Sequence, residues 1–154
     1  MSRIETRLEE LGIVLPAPME PVGNFKLVNV HAGLAYVSGH APIEGSTLLV
    51  EGVVGRDLSV EEGYRAARLV GLAIIASLKR ELGDLDRVTK WLRAVCYIQT
   101  APDFHDNAKV ANGFSDLIVE TWGDEGAHAR SAPGQGPSPL NAPLVADAIV
   151  AVSE

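Results

Sequence analysis

The sequence predicts an α+β domain in which two helices pack on one face of a mixed sheet, with a short helix ahead of them. Three observations lead there. Ser59 and Glu62 stand at capping-box spacing before an apolar stripe of helical period, Leu72, Ile75, Leu78 and Leu82. Val88 to Thr100, VTKWLRAVCYIQT, is rich in β-branched and aromatic residues and reads as a long central strand. Segments of these two kinds follow one another in the order β-β-β-α-β-α-β-β over a chain of 154 residues, the length of one ordinary domain.

Each element has its own local reason. Ile4, Leu8 and Leu11 recur at helical spacing between charges, which makes residues 1–20 a helix and loop extension of a single domain covering 1–154. FKLVNV, residues 25–30, and LAYVS, residues 34–38, read as a hairpin about His31-Ala32-Gly33. TLLVEGVVG, residues 47–55, reads as a third strand after the Glu44-Gly45-Ser46 turn. The first long helix then runs from Ser59 to Gly83. Asp103 is the expected N-cap of the second, which Gly123 ends after Trp122. Ala127 to Ala132 and Leu144 to Val152 complete the strands, and Leu92, Ala94, Cys96 and Ile98 are expected to share one face of the central strand.

Composition removes several classes of function. With 47% hydrophobic and 21% charged residues, the chain belongs with globular proteins able to bury a core. Its net charge is −7 and its 13 basic residues are scattered, which argues against a nucleic-acid partner needing a positive face. The longest apolar run, Val70 to Leu78, is about half a membrane span, so no membrane partner is expected. Cys96, the single cysteine, sits in an apolar run and reads as a buried small hydrophobe in a reducing, cytoplasmic setting. His31, His40, His105 and His128 form no HxH or HExxH and have no second cysteine, so neither a metal nor another cofactor is expected. His40 and His128 could each line a cleft, although turn or surface placement is the simpler account of both.

The chemistry concentrates in HARSAPGQGPSP, residues 128–139. Arg130 ends a strand and precedes a Pro/Gly-rich loop, and its planar fork of donors suits a carboxylate or a phosphate. On local chemistry alone the plainer account is favoured: a strand-end arginine, solvated or paired with one of 20 acidic residues. Gly134-Gln135-Gly136 lacks the rest of a phosphate loop, and Ser38 in YVSGH supplies only half of a GxSxG elbow. A strand-end hydroxyl bonded to backbone is the ordinary role for Ser38.

In this order the chain resembles the YjgF/RidA family, the reactive intermediate deaminases also called L-PSP endoribonucleases. The likeness rests on LAYVSGHAPI at 34–43, DFHDNAKVANGF at 103–114, and Ala129-Arg130-Ser131 followed by ADAIVAV at 146–152. It implies a chorismate-mutase-like fold, assembled as a homotrimer with clefts between subunits. It also implies a small carboxylate ligand and, in active members, hydrolysis of 2-imino acids to 2-keto acids and ammonia. Arg130 would anchor the carboxylate. Phe25 and Ser38 would line the cleft, and backbone groups of Ser131 and Ala132 would lie close to the substrate. The glutamate that active members carry on the last strand falls on Val145, and Asp147, two residues on and on the same side, is the candidate replacement. The family's cleft asparagine falls on Ala111, with Asn112 beside it. The resemblance therefore leaves imine hydrolysis and non-catalytic carboxylate binding both open, with RNA cleavage third.

Overall fold

In the computed structural model, which describes residues 2–154, the Ser2 hydroxyl accepts from the Glu5 amide and starts α1 (Arg3–Glu10). Ile4 and Leu8 form its buried side. The Asp86 carboxylate accepts from the amides of Arg3 and Ile4 at 2.8 and 2.9 Å, satisfying donors that a first helical turn leaves without partners.

Strands β1 (Val28–His31) and β2 (Leu34–His40) form the expected hairpin through Ala32 and Gly33, both at positive φ. Residues 47–55 depart from expectation. Only Thr47–Leu48 (β4) pairs there, with Ile43–Glu44 (β3), in a small hairpin apart from the main sheet. Gly52 and Gly55, at φ 131° and 91°, turn the chain aside, and buried Val54 makes single bridges to Leu58 and Thr100. The apolar residues of this segment thus pin a loop to the core rather than extend the sheet.

Helix α2 (Val60–Leu82) opens with the complete Ser59–Glu62 capping box and stops at Gly83, φ 78°. After β5 (Val88–Gln99) comes α3 (Asn107–Trp122), ended by Gly123 as expected. Its N-cap is Asp106 rather than Asp103, and that cap makes no side-chain bond to the helix. Then come β6 (Ala129–Ser131), β7 (Gly134–Gln135) and β8 (Leu144–Val152).

The main sheet has the order β1-β2-β8-β5-β6, with β7 also beside β5. β6 and β7 run parallel to β5, and the other pairs are antiparallel. Burial along β8 alternates residue by residue: Leu144, Ala146, Ala148, Val150 and Val152 point into the core, while Val145, Asp147, Ile149 and Ala151 are half-buried on the other face. An irregularity between Trp91 and Arg93 shifts the phase of β5, so Trp91, not Leu92, joins Ala94, Cys96 and Ile98 in the core. Trp91 meets Trp122 and Phe114 edge-on, with ring centroids 5.3 and 6.0 Å apart.

Both long helices cover this one face, and they approach each other closely. A Cβ on Gly113 of α3 would lie 1.9 Å from the Tyr64 carbonyl oxygen of α2. The opposite face carries half-buried Val95, Tyr97, Val145, Ile149 and Ala151, with Tyr36 46% exposed beside them. Among the described residues no helix is long and apolar enough to cross a membrane.

Candidate functional site

Arg130 lies on β6, the edge strand next to β5, and its register decides where its side chain goes. It stands across from Ala94, whose other cross-strand partner is Ala148, and both alanines are buried on the helix-covered face. Arg130 therefore reaches over the sheet edge toward α3. There Nη1 donates to Asn112 Oδ1 and Ser115 Oγ, each at 3.0 Å, and Nη2 donates to the Ala108 carbonyl at 3.4 Å. Residues 108, 112 and 115 are four and three apart, so they make one stripe along the helix.

All three acceptors are neutral, and Arg130 forms no salt bridge among the described residues. A guanidinium has five N–H donors, and these bonds use three. The two left over sit on Nε and Nη2, the neighbouring nitrogens that grip a carboxylate side-on.

His128, two residues before Arg130, joins the same group. Its Nδ1 is 2.7 Å from the Gly126 carbonyl and its Nε2 is 2.9 Å from Ser115 Oγ. A carbonyl only accepts, so Nδ1 carries the proton; Nε2 of the neutral ring then accepts from the Ser115 hydroxyl. Burial holds the imidazole below its ordinary pKa, and the Arg130 charge adds to that against the opposing pull of the Gly126 bond. The ring packs edge-on against Phe114, with centroids 5.7 Å apart.

The other residues of interest are spread around the sheet. Ser131, one residue on from Arg130, points to the open face, where its hydroxyl accepts from Arg93 Nη2 at 3.1 Å. The Ala132 carbonyl accepts from Asn107 Nδ2 at 3.1 Å. Asp147 stands across from Val95 on the open face, and its carboxylate accepts from the Tyr97 hydroxyl at 3.3 Å. That nearby negative charge, with some burial, raises the Tyr97 phenol. Val145 shares the face, and a Cβ on Gly39 would lie 2.9 Å from its Cγ1.

Phe25 and Ser38 border one shallow cavity of about 470 Å³ at the β1–β2 end of the sheet. Between Val37 and His40 a bulge sets Ser38 and Gly39 against the single residue Asp147. Ser38 Oγ donates to the Lys26 carbonyl at 2.6 Å, the backbone-satisfying role its position suggested. Arg130 and Ser38 thus lie on strands separated by β8 and β5, roughly 14 Å apart across the sheet at the usual strand spacing.

Two residues behave otherwise than the sequence indicated. His40 lines no cleft: it is fully buried, with Nδ1 on the Ser38 carbonyl and Nε2 on Ser77 Oγ, and burial lowers its pKa. Ala111 is buried in the core, and the asparagine that reaches Arg130 is Asn112. Cys96 is the buried hydrophobe expected, its thiol pushed up to about 12 by burial. The four histidines do not converge; among the described residues no group of three His, Cys, Asp or Glu side chains could hold a metal ion. Ser115 is absent from the sequence reading, although the 108/112/115 stripe and the alternation His128-x-Arg130 carried the signal.

Comparison with known proteins places the chain as a whole. The family described as "YjgF/chorismate mutase-like, putative endoribonuclease" matches residues 5–150. Protein TCP17 of Trypanosoma cruzi is 36% identical over 149 residues, 96% of this chain and 93% of that protein. The crystal structure of Atu1372 from Agrobacterium tumefaciens, a protein of unknown function, is 38% identical. It superposes with a TM-score of 0.89, covering 98% of this chain and 94% of the other. A Shewanella oneidensis structure bearing the endoribonuclease description is 30% identical with a TM-score of 0.93, over 97% and 99% of the two chains. The match along nearly the whole chain, on the same α+β architecture, makes this protein a member of the YjgF/chorismate mutase-like family.

Proposed function

We propose that this protein binds small 2-imino and 2-keto carboxylates in clefts between the subunits of a homotrimer and hydrolyses the imines to keto acids and ammonia. The observation that carries the reading is the state of Arg130. Its guanidinium is fixed by Asn112, Ser115 and the Ala108 carbonyl, is matched by no carboxylate among the described residues, and has the Nε and Nη2 donors to spare. A fixed, uncompensated fork in a chain of net charge −7 favours a small planar anion.

Distance supports assembly. Phe25, Ser38 and Asp147 lie too far from Arg130, or on the wrong face, to surround one small substrate within a chain. A second copy laid against the β6 edge brings its own open face to Arg130, and covers apolar residues there that a lone chain leaves half-exposed. Ser131 and Ala132 then offer backbone groups on the Arg130 side of the cleft, with Asp147, Ser38 and Phe25 opposite. Binding without turnover is the second reading, favoured by Val145, which has no group able to activate water.

The assay is release of ammonia and keto acid from freshly generated 2-iminopropionate, with pyruvate-induced thermal stabilisation measured in parallel. Turnover above buffer that Arg130→Ala removes supports the hydrolase. Stabilisation without turnover, also lost in Arg130→Ala, supports the binding reading. Light scattering at one rather than three times the 16.3 kDa chain overturns the intersubunit cleft.

A further inference from the structure

Resting on the reading of Arg130 as a carboxylate anchor in an intersubunit cleft, we propose that the ligand is a dicarboxylate. It is a short 2-imino or 2-keto acid whose second carboxylate, at the end of its tail, binds Lys26, Asn29 and Tyr36. The geometry that carries this is the shallow cavity of about 470 Å³ at the β1–β2 end of the sheet, which those three residues line together with Phe25, Val37 and Ser38.

The hairpin brings the three donors to one place. Asn29 on β1 and Tyr36 on β2 are directly opposite in the antiparallel register, so their side chains are neighbours on one face. Lys26 precedes β1, and Ser38 ties its backbone to β2: the Ser38 amide donates to the Leu27 carbonyl at 2.8 Å, and Ser38 Oγ donates to the Lys26 carbonyl at 2.6 Å. The cavity thus gathers an ammonium, an amide and a phenol. Among the described residues, Ser38 Oγ is the one side-chain group of this cavity engaged in a hydrogen bond.

Charge around the cavity is one-sided, since no carboxylate among the described residues lines it. Lys26 also borders the adjoining cavity of about 290 Å³, where Glu20 and Glu81 lie. Glu20 pairs there with Arg80, and Lys26 forms no salt bridge among the described residues. Asp147, opposite the Ser38–Gly39 bulge, accepts from Tyr97 and does not line the cavity. One ammonium flanked by neutral donors matches the single charge and two oxygens of a carboxylate.

Size points the same way. With the 2-carboxylate on Arg130 of one copy, and Phe25 and Ser38 presented by the other, the tail of the ligand runs toward this cavity. The methyl group of pyruvate would leave it nearly empty, because cavities of this volume hold far larger groups. Phe25, 47% exposed, offers an apolar wall to the methylene groups of a longer tail. A second copy over the open face excludes water from the cleft, where a charge pair is stronger than in bulk solvent.

The test is calorimetric titration of the full chain with 2-oxoglutarate and with 2-oxopentanoate, which has the same chain length and a methyl group in place of the second carboxylate. Wild type is compared with Lys26→Met, Lys26→Arg, Tyr36→Phe and Arg130→Ala. Wild type should bind 2-oxoglutarate roughly tenfold more tightly, the low end for a charge-assisted bond because the site faces solvent. Lys26→Met should bring 2-oxoglutarate down to the level of 2-oxopentanoate, and Lys26→Arg should keep most of the preference. Tyr36→Phe should shrink it by roughly threefold, the size of one neutral bond. Equal affinity for the two ligands in wild type, with both lost in Arg130→Ala, overturns the second carboxylate and leaves the anchor standing. A preference that survives Lys26→Met, or a loss of both ligands alike in that variant, also overturns the subsite. Binding of neither ligand by wild type, or binding that Arg130→Ala leaves unaltered, overturns the anchor and the subsite with it.

Discussion

Arg130 and Asp147 lie on opposite faces of one sheet: Arg130 stands beside Ala94 over the helices, and Asp147 stands beside Val95 on the uncovered side. Strand alternation makes this separation rigid, because a residue changes face only if the register slips or a bulge intervenes. Across β5 and β6 the register around Arg130 is regular, 93–95 against 129–131. Any cleft containing both groups is therefore built from two chains.

Substitution of Arg130 separates charge from geometry. Arg130→Lys keeps the charge but cannot grip a carboxylate through two nitrogens while held by Asn112 and Ser115. Loss of one charge-assisted bond is worth about 1.5–3 kcal/mol, so pyruvate affinity, read by calorimetric titration, should fall roughly 10- to 100-fold. Equal affinity in the lysine variant sinks the side-on grip.

Asn112→Ala removes one acceptor from the guanidinium and leaves the charge in place. The expected effect is a several-fold weaker affinity, in line with about 1 kcal/mol for such a bond, with little change in melting temperature because Asn112 is exposed. Ala111→Ser, one residue away, should instead lower stability, since it puts a hydroxyl into the core. The contrast can be read by paired thermal and calorimetric measurements.

Ile149→Asp tests the uncovered face. Ile149 is half-buried between Arg93 on β5 and Tyr36 on β2, and a carboxylate there opposes burial against a second copy. The variant should scatter light as a single chain with its circular dichroism unchanged. A mass of three chains would show that this face is not the interface.

Stability should decline on mild acidification. His40 and His128 are both depressed from the ordinary value of 6.5, mainly by burial, so the unfolded chain binds protons more readily than the native one as pH falls. Their contribution is complete above about pH 6.5 and is lost as pH drops toward the lower native values. Melting temperature followed from pH 8 to 5 should show the fall, and His40→Gln should flatten part of it. A slope identical to wild type excludes His40 as a source.

Gly113→Ala should be among the most damaging single changes in α3. Its methyl group would meet the Tyr64 carbonyl oxygen at 1.9 Å, a backbone atom that cannot rotate away. The helices would have to separate, and overpacking of this kind costs about 1–3 kcal/mol or more. Urea unfolding should show a lower midpoint; no change would mean that α2 and α3 slide freely.

Much of this fold was legible along the chain. Ser59 with Glu62, Gly83 and Gly123 marked helix ends through local hydrogen bonding and backbone freedom, and the β-branched runs 88–99 and 144–152 marked the central strands. Residues 47–55 differ from the expected third strand because Gly52 and Gly55 turn an apolar run into a loop, and such a run looks the same whether it enters a sheet or lies across a core. Period-two alternation alone puts Leu92 on the core face, because a bulge is a two-strand event with no mark in one strand's sequence.

By itself the sequence determined the long helices, the β1–β2 hairpin, the two central strands, their order, and a strand carrying Arg130, since all of these depend on residues near one another in the chain. Tertiary structure alone decided the company that Arg130 keeps. Asn112 and Ser115 come to it from α3, while Asp147 is carried to the far side of the sheet. Local chemistry sets which way each segment folds, but which side chains meet is set by register and helix rotation, and those are fixed only when the faces pack.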